Sequence, residues 1–349
     1  MHSIRHLEAG DLPGVVALMR THLPPPIHDE AFLAATVLES PGADPELPSL
    51  VAVDEAGSIV GFLAGPVRRL SFDGRPLRAV CCSHLVVSES ARMSATGVLL
   101  LRRLLAGPQE LTFTDSANHA ANRLWQALGG QLDHSRSLDW MLVLRPSRLL
   151  GSIAGAALRR RPLRPLMPVD AIPAHVLGPR LLARAFPAPQ PDVASVPADA
   201  AAIVEALPAT SNRIRLRGDH SLDYFERVFA YLGKRHELVT RIVRQGHRPA
   251  GWYAYSIGPG ALGRVIHVAA DQRRIDAVFG ELLADARERG CVAMSGRLDP
   301  HLEDPLRTRA AAVGFARRTL LHSRDPEVAA VLASSSSLLT QLDGEWHLA

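Results

Sequence analysis

The stretch from Leu85 to Leu105, LVVSESARMSATGVLLLRRLL, constrains this chain more than any other. Leu85–Val87 reads as a strand, the polar residues after it as a loop, and the apolar run from about Ser94 as a helix. The loop carries Arg92-x-x-Ala95-x-Gly97, small residues where the helix begins. Backbone N–H groups at a helix N-terminus lack intrahelical acceptors and suit phosphate oxygens. Ala95 and Gly97 leave room for a pyrophosphate to approach the backbone.

This stretch resembles motif A of the GNAT N-acetyltransferases, in which (Arg/Gln)-x-x-Gly-x-(Gly/Ala) follows a central strand. Here Ala95 replaces the first Gly, and Met93 replaces the Gly that often follows the Arg. A second stretch, Asn118-His-Ala-Ala-Asn-Arg-Leu-Trp125-Gln-Ala-Leu-Gly129-Gly130, resembles motif B, Asn-x-x-Ala-x-x-Leu-Tyr-x-x-x-Gly-Phe. Its Ala121, Leu124, Trp125 and Leu128 share one helical face, and Gly129 is a helix stop. The motifs stand in the family's order and spacing, and the resemblance covers about Ile4–Leu144. It implies an acyl-CoA site at Leu85, Val86, Val87, Arg92, Met93, Ser94, Ala95, Thr96 and Gly97, with Asn118 near the pantetheine arm or pyrophosphate. Trp125 takes the position where many members have a Tyr that protonates the departing thiolate. An indole N–H can only donate a hydrogen bond, so a core aromatic is the competing reading.

The rest of this half is consistent with an α/β domain. Ser3–Leu7 reads as a strand. Asp11 caps a helix with Pro13 in its first turn, and Leu12, Val15, Val16, Met19 and Leu23 mark its buried face. His28–Leu38 reads as a second helix and 40–48 as a loop. Leu50–Val53 and Ile59–Ala64 form a hairpin around Ala56-Gly57. A turn at Asp73-Gly74 leads into a long strand, about Arg78–Val87. Glu110–Thr114 is a short strand ahead of the second motif.

The chain has 349 residues, enough for two domains. Its net charge is +4, Lys234 is the only lysine, and no basic stripe studded with aromatics points to nucleic acid. Cys81, Cys82 and Cys291 make an odd set without CxxC spacing, which argues against a disulfide framework and for a reducing, cytoplasmic setting. No cluster has zinc-ligand spacing. No apolar run approaches the roughly 20 residues that span a bilayer, and the N-terminus lacks the apolar core of a signal peptide.

Residues 148–190 are rich in Arg, Pro, Leu and Ala and read as an interdomain connector. An alternative for 149–164, with Arg159, Arg160, Arg161 and Arg164, is weak contact with a membrane surface. From Asp192 the element order of the first half recurs, about 185 residues on: hairpin, strand, helix, strand, helix, Gly-x, strand. There Glu303–Val313 reads as a helix closed by Gly314-Phe315. Asp271-Gln-Arg-Arg274 stands where the first half has its loop, with no small residues to cradle a pyrophosphate. The expectation is therefore α/β, with two GNAT-like domains, each a mixed, splayed sheet flanked by helices. They are expected over 1–147 and 191–349, the second without its cofactor loop.

Candidate chemistry follows from the resemblance. Acyl transfer to an amine needs a base, and His84, just before the motif, has a pKa suited to neutral pH; a structural histidine is the competing reading. The oxyanion donor would be a backbone N–H at Val86 or Val87. Asp343, Glu345 and Trp346 suggest a pocket for an amino sugar or similar acceptor, or else a turn into a terminal strand. Tyr253 and Tyr255 share one face of a strand and Trp252 points the other way. The expected activity is transfer of acetyl from acetyl-CoA, without a metal, to a small-molecule amine. A non-catalytic acyl-CoA-binding protein and an aminoacyl-tRNA-dependent peptidyl transferase remain as alternatives. Oligomeric state is not written in the sequence.

Overall fold

The computed structural model describes residues 2–23, 29–40, 42–145, 192–211, 214–309 and 311–346. The expected connector and its membrane-contact segment, 149–164, lie outside them. In the first half the strands are β1 (Ser3–His6), β2 (Leu50–Val53), β3 (Ile59–Ala64), β4 (Val67–Phe72), β5 (Arg75–Cys81), β6 (Ser83–Val87), β7 (Leu111–Ala117), β8 (Gln131–Asp133) and β9 (Leu138–Val143). The helices are α1 (Leu12–His22), the short α2 (Glu30–Leu33) and α3 (Glu89–Arg92), α4 (Thr96–Leu105) and α5 (His119–Ala127). The second half adds β10 (Val193–Pro197), β11 (Leu216–Gly218), β12 (Glu237–Gln245), β13 (Arg248–Gly258), β14 (Leu262–Ala270), β15 (Ala293–Arg297), β16 (Ala312–Phe315), β17 (Arg318–Ser323) and β18 (Ser337–Leu338).

The chain divides into two units, Met1–Asp133 with Arg318–Ala329, and His134–Arg317 with Ala330–Ala349. The expected boundary at 147 is thus corrected. β9 belongs to the second unit, between β15 and β16, and β17 belongs to the first, between β7 and β8. The two halves exchange one strand each. The strand order in the second unit, β10-β12-β13-β14-β15-β9-β16, matches the first unit's β1-β2-β3-β6 followed by β7-β17-β8.

In the first unit the expected long strand is broken. β5 pairs with β4 and, in parallel, with β7, whereas β6 pairs with β3. The break falls at Cys82. On the neighbouring pair of strands it falls at Gly65-Pro66, where Pro66 has no N–H to offer a ladder. Alternation places the faces on either side of β6. Val86 packs with α1 residues Leu12, Val15, Val16 and Met19. Leu85 and Val87 pack toward α4 residues Leu100, Leu101 and Leu104.

In the second unit β14 and β15 pair in parallel only over Leu262–Arg264 and Ala293–Ser295. Other parts of the same unit engage the remainder of β14. His301 Nε2 lies 3.0 Å from Val268 O, and His267 Nδ1 lies 2.8 Å from Thr340 Oγ1. Arg264 donates from Nη1 to Asp139 Oδ2 at 2.7 Å. Asp343 accepts from Thr340 N and Oγ1 (2.6 and 2.9 Å) and lies 3.1 Å from His220. Arg136, fully buried, donates to Leu332 O and Ser337 Oγ, both at 2.7 Å, and fixes the final segment. Tyr253 and Tyr255 enter the core on one face, and Trp252 stacks on His267 at 4.1 Å on the other, as the alternation requires. The helix expected over 303–313 ends at Thr308. Gly314, expected to close it, lies in β16 opposite Asp139, because β9 supplies a ladder partner that local sequence does not reveal.

Burial pushes the imidazoles of His267 and His301 below the usual 6.5. Unfolded histidines protonate near 6.5, so this stability is present above about pH 6.5 and lost as pH falls below it. Asp343 acts in the opposite sense. Burial raises its carboxyl to about 6, so its contribution is full below about pH 4 and lost as pH rises through the folded value. Thermal unfolding followed from pH 7.5 to 5 should therefore show His267→Gln flattening the acid loss of stability and Asp343→Asn steepening it.

Candidate active site

The candidate site lies where the central strand changes partners. The β5–β7 ladder ends at Cys81 and Phe113, with one more bond from Cys82 N to Phe113 O at 2.6 Å. Beyond it β6 keeps only β3, and the end of β7 keeps only β17. Beyond that point no ladder bond joins β6 to β7. His84 sits at the bend with φ +50°, a left-handed conformation that costs a non-glycine residue about 1 kcal/mol or more. Its register with β3 slips there, and Ser83 Oγ lies 3.0 Å from His84 Nδ1. The imidazole is half-buried.

From β6 the chain enters the loop of the first motif. Ser88 caps α3, its Oγ accepting from Ala91 N. The expected helix from Ser94 starts instead at Thr96, because Ala95 takes φ +56°. No side chain caps the first N–H groups of α4. A Cβ added at Gly97 would meet only Val87 Cγ2, at 3.4 Å. These uncapped donors, the left-handed turn before them and the small residue behind them fit a pyrophosphate. His2 Nδ1 lies 2.9 Å from Thr96 Oγ1 and 3.2 Å from Ser94 Oγ, a contact the sequence does not announce. Arg92 and Met93 are exposed on the same loop, Met93 almost fully.

Leu85, Val86, Val87, Arg92, Met93, Ser94, Ala95, Thr96 and Gly97 therefore form one continuous strand–loop–helix segment, and His84 adjoins it. Asn118 is the N-cap of α5 and its Oδ1 accepts from Ala121 N at 2.9 Å. Trp125 is 1% exposed and packs with Leu100, Leu104 and Leu320, so it is a core aromatic. Asp343, Glu345 and Trp346 belong to the second unit and are buried there. Asp343 serves the network around Thr340, and Trp346 meets the Tyr231 ring edge-on at 5.1 Å. No terminal strand follows the turn over 341–344 within the described residues. Among the described residues no group of His, Cys, Asp and Glu is arranged to hold a metal ion, and no helix is long and apolar enough to cross a membrane.

No family model matches the chain, and no curated protein matches it. Solved structures do. A GCN5-related N-acetyltransferase from Kribbella flavida aligns with a TM-score of 0.58 at 15% identity, over 94% of this chain and 73% of that one. Another from Anabaena variabilis aligns with 0.57 at 8% identity, over 93% and 74%. The N-myristoyltransferase of Saccharomyces cerevisiae, solved with bound myristoyl-CoA, aligns with 0.50 at 12% identity, over 92% and 78%. The chain has the GNAT fold. At these identities the likeness concerns architecture, and the GNAT chains among these neighbours match it across both units.

The left-handed Ala95 explains why the GNAT motif favours Gly here. Ala95→Gly should raise stability by about 0.5–1 kcal/mol, relief of the left-handed conformation outweighing the added freedom of the unfolded chain. Chemical denaturation of the two proteins measures it.

Proposed function

We propose that the first unit binds acyl-CoA in the gap between β6 and β7 and transfers the acyl group, acetyl from acetyl-CoA, to the amine of a small molecule or amino sugar. The supporting observation is the continuity of the opened strand edge with an uncapped helix N-terminus through a left-handed turn. The thioester supplies an activated acyl carbon. The amine nitrogen bonds to that carbon, the C–S bond breaks, and the thiolate takes the sulfur electrons. The chain's tasks are to hold the pyrophosphate at Ala95–Gly97, to offer a strand N–H at Val86 or Val87 to the oxyanion, and to take the amine proton. His84, at the bend with Nδ1 3.0 Å from Ser83 Oγ, is our candidate for that proton.

One observation favours a second reading, acyl-CoA binding without turnover. Trp125 is in the core, and all four tyrosines, Tyr224, Tyr231, Tyr253 and Tyr255, lie in the second unit. No phenol in the first unit serves as the acid.

Calorimetric titration with acetyl-CoA tests the site. One molecule should bind per chain. Gly97→Glu should weaken binding by about 100-fold or more, by bulk and by repulsion of the pyrophosphate at the α4 N-terminus, whereas Gly97→Ala should bind nearly as the parent does. Unchanged affinity in folded Gly97→Glu removes the site.

Turnover is tested at His84. His84→Ala should leave acetyl-CoA affinity nearly unchanged and lower kcat/KM with an amine by about 10²-fold. Binding with no turnover on any amine supports the second reading.

A further inference from the structure

The second unit carries an open groove of about 790 Å³ that the acyl-transfer reading does not use. At one end lie Arg241 and Arg289, which share a single carboxylate. Asp285 Oδ1 accepts from Arg241 Nη2 at 2.9 Å and from Arg289 Nε at 3.2 Å, and Asp285 Oδ2 accepts from Tyr255 OH at 2.6 Å. Arg289 also reaches the exposed Glu237 at 3.2 Å. Arg241 spends one donor on Asp285, and its Nε, shut off from water, has no partner. The Arg241 side chain is only 16% exposed. Its Nη1, which makes no hydrogen bond among the described residues, is the donor left to the groove, and the planar guanidinium edge suits a carboxylate.

The groove also selects against other anions. Phe229, Val239 and Ala201 give it an apolar wall. Asp199 and Glu226 line it too, and their negative charges oppose a phosphate dianion or a polyanion such as a nucleotide. We infer that this groove binds an apolar monocarboxylate, its carboxylate on Arg241 and Arg289 and its hydrocarbon or aromatic body against Phe229. The site lies wholly in the second unit and is independent of the acyl-CoA reading.

Calorimetric titration of the full chain with 4-phenylbutyrate, with 4-phenylbutyramide and with inorganic phosphate tests it. The acid should bind saturably, the amide at least tenfold more weakly and phosphate more weakly still. Arg241→Gln should weaken the acid at least tenfold. Phe229→Ala, which leaves the arginine pair intact, should also weaken it. Gly97→Glu should bind the acid as the parent does. Equal binding of acid and amide, tighter binding of phosphate, or no saturable binding overturns the assignment. So does unchanged affinity in Arg241→Gln or Phe229→Ala, each checked for folding by its thermal melt.

Discussion

A strand edge can serve one neighbour at a time, and the first unit is built on that limit. At Cys82 the central strand stops pairing with β7 and continues only with β3. The backbone groups beyond that point, on β6 and on the end of β7, need other partners, since unpaired amides are costly once water is excluded. A ligand that enters the gap can supply them. The same bend turns the chain into the loop before α4, so the strand edge and the uncapped helix start come as one segment. The left-handed His84 and Ala95 are the two points of strain that this geometry demands.

The second unit starts from the same strand order and reaches a different result. β14 also parts from β15 after three residue pairs. There the chain supplies its own partners, with His301 at Val268 O and Thr340 at His267, and Arg136 anchoring the final segment by its carbonyls. A buried Arg with several acceptors, and an Asp343 held by Thr340 and His220, make such a filling specific as well as stable. This strand edge thus has partners from its own unit, and Asp271–Arg274 before the next helix holds no small residues. The groove beside Arg241 is built from elements outside that network.

Much of this was legible from local pattern. The α1 stripe, the hairpin at Ala56-Gly57, the α5 face and the paired Tyr253 and Tyr255 follow from periods of 3.6 and 2. What escaped depends on distant partners. The break at Cys82 lies inside a continuous apolar run, because the switch from β7 to β3 is a tertiary event. The strand exchange is equally silent, since β9 and β17 look like any alternating strand. Gly314 looked like a helix stop and is a strand residue because β9 lies beside it. In the candidate site, the small residues marked the strand–loop–helix turn, but the helix starts at Thr96 because Ala95 is left-handed. Asp343, Glu345 and Trp346 are buried, a placement their sequence did not reveal, because a polar–aromatic cluster reads alike whether it lines a pocket or fills a core.

The two departures from the GNAT motifs carry unequal weight. Ala95 keeps the left-handed turn at a cost of about 1–2 kcal/mol, so the backbone turn survives the replacement. Trp125 removes a phenol that would protonate the leaving thiolate. A thiol has a pKa near 8.5, about 1.5 units above neutral pH, so water can complete that protonation, and the missing acid is worth about 2 kcal/mol. An alkylammonium acceptor of the lysine type has a pKa near 10.4, which leaves only about one molecule in 2,500 neutral at pH 7, a deficit of about 4.6 kcal/mol for that class of acceptor. Taking the amine proton is therefore the larger task. On the proposed reading it falls to His84, the residue that the bend in the central strand holds at the mouth of the gap.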